Sequence, residues 1–112
     1  MQWYSFEVAY PDYSAMLRGG AQTSLEIQEI MRQPAFFVQM NNPNFGVFMS
    51  GDRDKFINRF WFTEPAYNTL RVYADANGVK PSGVPPPTGD DGGLRGTSMI
   101  IGDTRSWQYV GK

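Results

Sequence analysis

The segment Arg53-Asp54-Lys55-Phe56-Ile57-Asn58-Arg59-Phe60-Trp61-Phe62 decides the fold, because it reads two ways between a short apolar run and a strong helix start. Phe56, Ile57, Phe60 and Trp61 occupy i, i+1, i+4 and i+5, the spacing of one helical face, with Asp52 ahead of them as an N-cap. As a strand the segment puts Phe56, Phe60 and Phe62 on one face, but Asn58 falls among them and spoils the alternation. A helix is therefore preferred over residues 53–62.

Downstream, Thr63-Glu64-Pro65 combines a hydroxyl cap, an acid in the first turn and a proline where no donor is missed, so a helix is expected to run to about Ala76. Ala66, Tyr67, Leu70, Tyr73 and Ala74 form its apolar stripe, and Asn77-Gly78 tolerates the positive φ of a helix end. Upstream, Phe45 to Met49 has the length of a strand, and Ala35 to Met40, aromatic and β-branched, reads as its hairpin partner across the turn formers Asn41-Asn42-Pro43-Asn44. Thr23-Ser24-Leu25-Glu26 has capping-box spacing, which predicts a helix over about 24–33 with Leu25, Ile27, Ile30 and Met31 on its apolar side and Pro34 at its end. Tyr4, Phe6, Val8 and Tyr10 share one parity, so a half-buried strand opens the chain; Pro11-Asp12 stops it, and Gly19-Gly20 suggests a loose connection.

Residues 79–96 carry Pro81, Pro85, Pro86, Pro87 and several glycines, which cannot sustain a helix or a central strand, and predict a long loop or arm. Beyond it, Thr97 to Ile101 and Arg105 to Val110 read as a terminal hairpin around Gly102-Asp103-Thr104, with Trp107 and Tyr109 on one parity. The expected architecture is a single α+β domain over 1–112, a ferredoxin-like two-layer sandwich of order β-α-β-β-α-β with a C-terminal β-hairpin and a long Pro/Gly-rich loop.

Composition narrows the function. The 112 residues include 41% hydrophobic and 15% aromatic side chains, enough to offset chain entropy in one core. Ten basic against eleven acidic residues give a net charge of -1, without the basic excess that binding a phosphate backbone requires, so nucleic acid is disfavoured as a partner. The chain has no Cys and no His, which removes thiolate chemistry, the commonest general base and the commonest transition-metal ligand. No stretch approaches the ~20 apolar residues of a membrane span, and the N-terminus lacks the basic and apolar regions of a secretory signal. A soluble protein is expected, intracellular or carried in a virus particle, with no cofactor and no membrane partner.

The motifs that remain are weak. Asp52 with Asp54, or Asp90 with Asp91, would serve acid–base catalysis only if burial drove the paired pKa values apart, and both pairs sit in polar, Gly-rich surroundings suited to turns. Thr88-Gly89-Asp90-Asp91-Gly92-Gly93 has the glycines of an anion loop but neither the Lys-Ser/Thr ending of a P-loop nor the spacing of an EF-hand. Asn44-Phe45-Gly46-Val47-Phe48 echoes the strand on which RNA-recognition domains stack bases, yet lacks its basic residue, and core packing explains Phe45 and Phe48 equally well.

The informative excess is aromatic, with three Trp, six Tyr and eight Phe in so short a chain. Such side chains supply large contact areas at interfaces, although Tyr and Trp also rim the cores of monomers. Val84-Pro85-Pro86-Pro87 should adopt a pre-ordered polyproline II conformation that loses little entropy on docking. The expectation is a non-enzymatic interaction or structural subunit of a larger assembly, such as a viral or phage particle component, contacting its neighbours or itself through Val84, Pro85, Pro86, Pro87, Trp107 and Tyr109. The alternative from another class is a module that binds a small ligand or single-stranded nucleic acid on an aromatic sheet face.

Overall fold

A computed structural model of the protein describes residues 2–42, 44–87 and 97–102, and within these the side chains of Phe37, Val38 and Met40 are not described. Strand β1 (Trp3–Ala9) leads into helix α1 (Tyr13–Met31), a short helix α2 (Pro34–Phe37) and a 3-10 turn (Val38–Asn41). Strands β2 (Gly46–Asp52) and β3 (Ile57–Thr63) follow, then helices α3 (Glu64–Thr69) and α4 (Arg71–Ala76), the two-residue strand β4 (Lys80–Pro81) and strand β5 (Thr97–Gly102). The protein is a small α+β domain whose five strands form one antiparallel sheet in the order β4-β1-β3-β2-β5.

The expected helix over 53–62 is instead a turn followed by the central strand of the sheet. Asp52 does not cap a helix; its carboxylate accepts from the backbone amides of Asp54 and Lys55, and Phe56 adopts a left-handed φ of 56° that closes the turn. β3 then pairs with β1 on one side and β2 on the other, and its two faces are each buried in a separate cluster, so apolar residues follow one another without alternation. Phe60 and Phe62 point into the main core, and Trp61 into a second cluster with Trp3 and Phe48 on the opposite face. Asn58, which broke the strand pattern, is buried because its amide donates to the Met16 carbonyl of α1 at 2.9 Å.

The other shifts have equally local causes. α1 starts at Tyr13, eleven residues before the expected 24, because the Asp12 carboxylate accepts from Ala15 N at 2.7 Å while Asp12 itself stays extended. Gly19 and Gly20 are helical rather than loose: a Cβ at Gly19 would lie 2.3 Å from the Tyr10 ring, and one at Gly20 would lie 2.9 Å from the Asn58 amide nitrogen. Their helix-propensity cost is the condition for α1 to lie close to the sheet. Replacing Asp12 with Ala should lower stability by about 1 kcal/mol, read as a smaller urea midpoint at unchanged m-value.

Residues 35–40 are not a strand. Pro34 opens the helical turn of α2, the 3-10 turn continues it, and β2 forms its hairpin with β3 instead, with β5 on its other edge. The helix expected over 63–76 appears as α3 and α4, separated at Leu70, whose φ and ψ of -97° and 31° leave the helical region. Its apolar stripe packs as read, with Ala66, Leu70 and Ala74 buried. The Thr63 hydroxyl makes no cap bond; it bridges to the backbone amide and carbonyl of Gly46, joining β3 to the start of β2. The first residues of the expected arm are structural too, since Val79 is buried and Lys80–Pro81 pair with β1. The expected strand over 105–110 lies outside the described residues, as does the loop over 88–96.

The helices cover one face of the sheet. Tyr4, Phe6 and Val8 of β1, Val47 and Met49 of β2, Phe60 and Phe62 of β3, and Ile100 and Ile101 of β5 meet Ile27 and Met31 of α1 and the stripe of α3 and α4. No helix of the described residues is long and apolar enough to cross a membrane.

Candidate functional site

Two surfaces could carry function, one on each side of the sheet. On the face without helices, Trp3, Phe48 and Trp61 form the smaller buried cluster, with Met99 against it. Ser82 N donates to the Trp3 carbonyl at 2.9 Å, and the segment after it crosses this face: Pro85 lines a narrow cleft with Trp3, and Pro87 borders another with Trp61. Pro86 is fully buried, Val84 is 54% exposed, and Pro85 and Pro87 are exposed. Of the residues expected to contact a partner, Val84 to Pro87 thus form a strap on the chain's own sheet, while Trp107 and Tyr109 lie outside the described residues.

The strap borders a cleft of about 730 Å³ at the β2–β3 turn. Its walls are charged but internally matched. Arg59 pairs with Glu7 at 2.6 Å and lies 5.5 Å from the centre of the Trp61 ring, whose indole N–H donates to Ser50 Oγ at 3.0 Å. Arg53 lies over the Tyr13 ring at 5.0 Å. Asp52 and Asp54 are exposed turn residues rather than a buried pair, and no group of three or more Asp or Glu gathers to hold a metal among the described residues. Asp90 and Asp91 lie outside the described residues. The rings of the Asn44–Phe48 stretch, Phe45 and Phe48, are both core residues, so neither is presented for base stacking.

The second surface lies on the helix side and was not foreseen. Once α1 reaches back to Tyr13, residues Tyr13, Leu17, Ala21 and Leu25 form an i, i+4, i+8, i+12 row. All four face solvent, with Leu17 54% and Leu25 56% exposed, so Leu25 is not part of the buried side of the helix as its neighbours suggested. The signal for that row is Asp12, whose carboxylate caps the helix at Ala15. Beside Leu25, a groove of about 530 Å³ runs between α1 and α4, with Ile30 and Tyr73 in its apolar lining and Glu26 and Glu29 on its rim. On α4 the neighbouring Val72 is 88% exposed.

Tyr73 is the unusual group here. Its ring packs edge-on against Phe6, and its buried hydroxyl has no hydrogen-bond partner among the described residues. Burial pushes this hydroxyl up to about 12, and the nearby Glu26 carboxylate and Tyr10 add to the shift. In the unfolded chain the group ionises near its ordinary 10.0, so between the two values the folded state holds a proton that the unfolded state has lost. Stability should therefore fall as pH rises from about 10 to about 12, and thermal unfolding of Tyr73→Phe over that range should show a shallower decline. Neither a protein-family model, a curated protein nor a solved structure matches the chain.

Proposed function

We propose that this protein is a non-enzymatic interaction subunit that joins a larger assembly through the outer face of α1. The observation that carries this reading is the solvent-facing row Tyr13, Leu17, Ala21 and Leu25, continuous with the apolar groove at Tyr73. Single exposed leucines are ordinary, but a row of four apolar positions along one helix face is the form in which helices present themselves to partners. Trp3, Phe48 and Trp61 are buried, so this reading looks to the helix layer rather than to the aromatic sheet face that composition suggested.

We read the architecture as ferredoxin-like. The order β4-β1-β3-β2 with antiparallel neighbours, a helical connection after β1 and another after β3 supports it, with β5 added at the β2 edge.

The test is affinity purification of the tagged full chain and of a Leu17→Glu, Leu25→Glu double variant from the same expressing cells, with quantitative mass spectrometry. A defined set of proteins, or the untagged chain itself, should be retained by the parent and lost from the variant. Identical recovery from both would remove the proposal.

A further inference from the structure

We propose that the groove between α1 and α4 receives a basic amphipathic helix from a partner protein, with an apolar side chain seated against Leu25, Ile30 and Tyr73 and a Lys or Arg beside it. This rests on the interaction reading above and names the chemistry of the partner.

Two observations converge on that occupant. First, the groove is apolar inside, while its lining includes two carboxylates, Glu26 and Glu29, and no cation. Glu29 is engaged by Arg32 at 2.6 Å, but Glu26 has neither an ion pair nor a hydrogen bond among the described residues. A like-charged or neutral occupant would leave Glu26 partly desolvated without compensation, whereas a basic one compensates it.

Second, the surface beside the groove is shaped for a helix. The row from Tyr13 to Leu25 is an i±4 ridge about 18 Å long at the helical rise, and such ridges pack into the grooves of another helix. An extended peptide would instead seek a sheet edge, and the edge strands β4 and β5 are not part of this surface.

The probe is a fluorescein-labelled Leu–Lys peptide of about 14 residues with leucines at helical spacing, titrated with the full chain and followed by anisotropy. Saturable binding is expected, weakened about tenfold or more by Glu26→Lys and by Leu25→Glu. Val84→Glu, on the strap across the other sheet face, should leave it unchanged. A Leu–Glu peptide of equal length should not bind.

Circular dichroism and thermal unfolding establish that each variant is folded. Should Leu25→Glu unfold, the exposed Glu26→Lys decides alone. The inference is overturned by equal affinity for the two peptides, by an affinity that ignores Glu26→Lys, or by no binding up to about 1 mM protein. If no peptide binds but the chain self-associates and Leu25→Glu abolishes this, the partner chemistry is wrong and the interaction reading stands. If purification also shows no difference for the double variant, both fall.

Discussion

Replacing Phe62 with Ala is expected to destabilise the protein by about 3–5 kcal/mol, a large part of the ~5–15 kcal/mol that holds a domain of this size folded. Phe62 is fully buried on the central strand, opposite Tyr4 on β1 and Val47 on β2, with its ring 6.2 Å from that of Phe6. Removing it opens a void where the sheet meets the helices, and the paired strands on either side prevent the backbone from collapsing into it. The same substitution in an amphipathic surface helix would cost far less. Urea unfolding at neutral pH reads the difference, and a loss below about 1 kcal/mol would contradict the central placement of β3.

The second large effect is at Asn58. Asn58→Asp replaces the amide that donates to the Met16 carbonyl with a carboxylate, setting two acceptors against each other and burying a charge. At neutral pH the cost should be about 3–5 kcal/mol. The introduced carboxyl will have its folded-state pKa raised, since burial and the facing carbonyl both disfavour the anion and only the protonated form can donate to Met16. Its unfolded value is about 3.9, so the penalty should be largely absent below that pH and grow as pH rises through the window above it. Asn58→Leu is the control: it removes the bond to the Met16 carbonyl without adding a charge, at about 1–3 kcal/mol and with no such pH dependence. Thermal unfolding of both variants between acid and neutral pH separates the two behaviours. An Asn58→Asp deficit independent of pH would mean that the amide does not bind α1 to the sheet.

Asn58 also explains why the decisive segment was misread. In a half-buried strand an asparagine among phenylalanines looks like an error of register, and the i, i+4 spacing of Phe56 and Phe60 then favours a helix. The partner that makes Asn58 acceptable is a carbonyl 42 residues earlier, which no local pattern contains. Gly19 and Gly20 misled in the same way. They weaken a helix when judged alone, and are needed only because Tyr10 and Asn58 come within contact distance of α1. The candidate interaction row went unseen as a result, since Tyr13 and Leu17 line up with Leu25 only in a helix that passes through both glycines.

By itself the sequence determined the α+β class, the first strand through the period-2 pattern of Tyr4, Phe6 and Val8, the stripe of Ala66, Leu70 and Ala74, and the strand from Thr97. It also determined the chemistry that is missing, since a chain without Cys or His lacks thiolates and imidazoles in any fold. These features depend on residues within a turn or two of one another, or on none at all. Only the tertiary structure decided that residues 57–63 are the middle strand, that residues 35–40 form helical turns outside the sheet, and that Pro86 is buried while Leu25 is not. Each of those outcomes follows from which distant element occupies the neighbouring space. Burial on both faces erases the periodicity that would announce a strand, and a proline or leucine becomes core or surface according to what the rest of the chain lays against it.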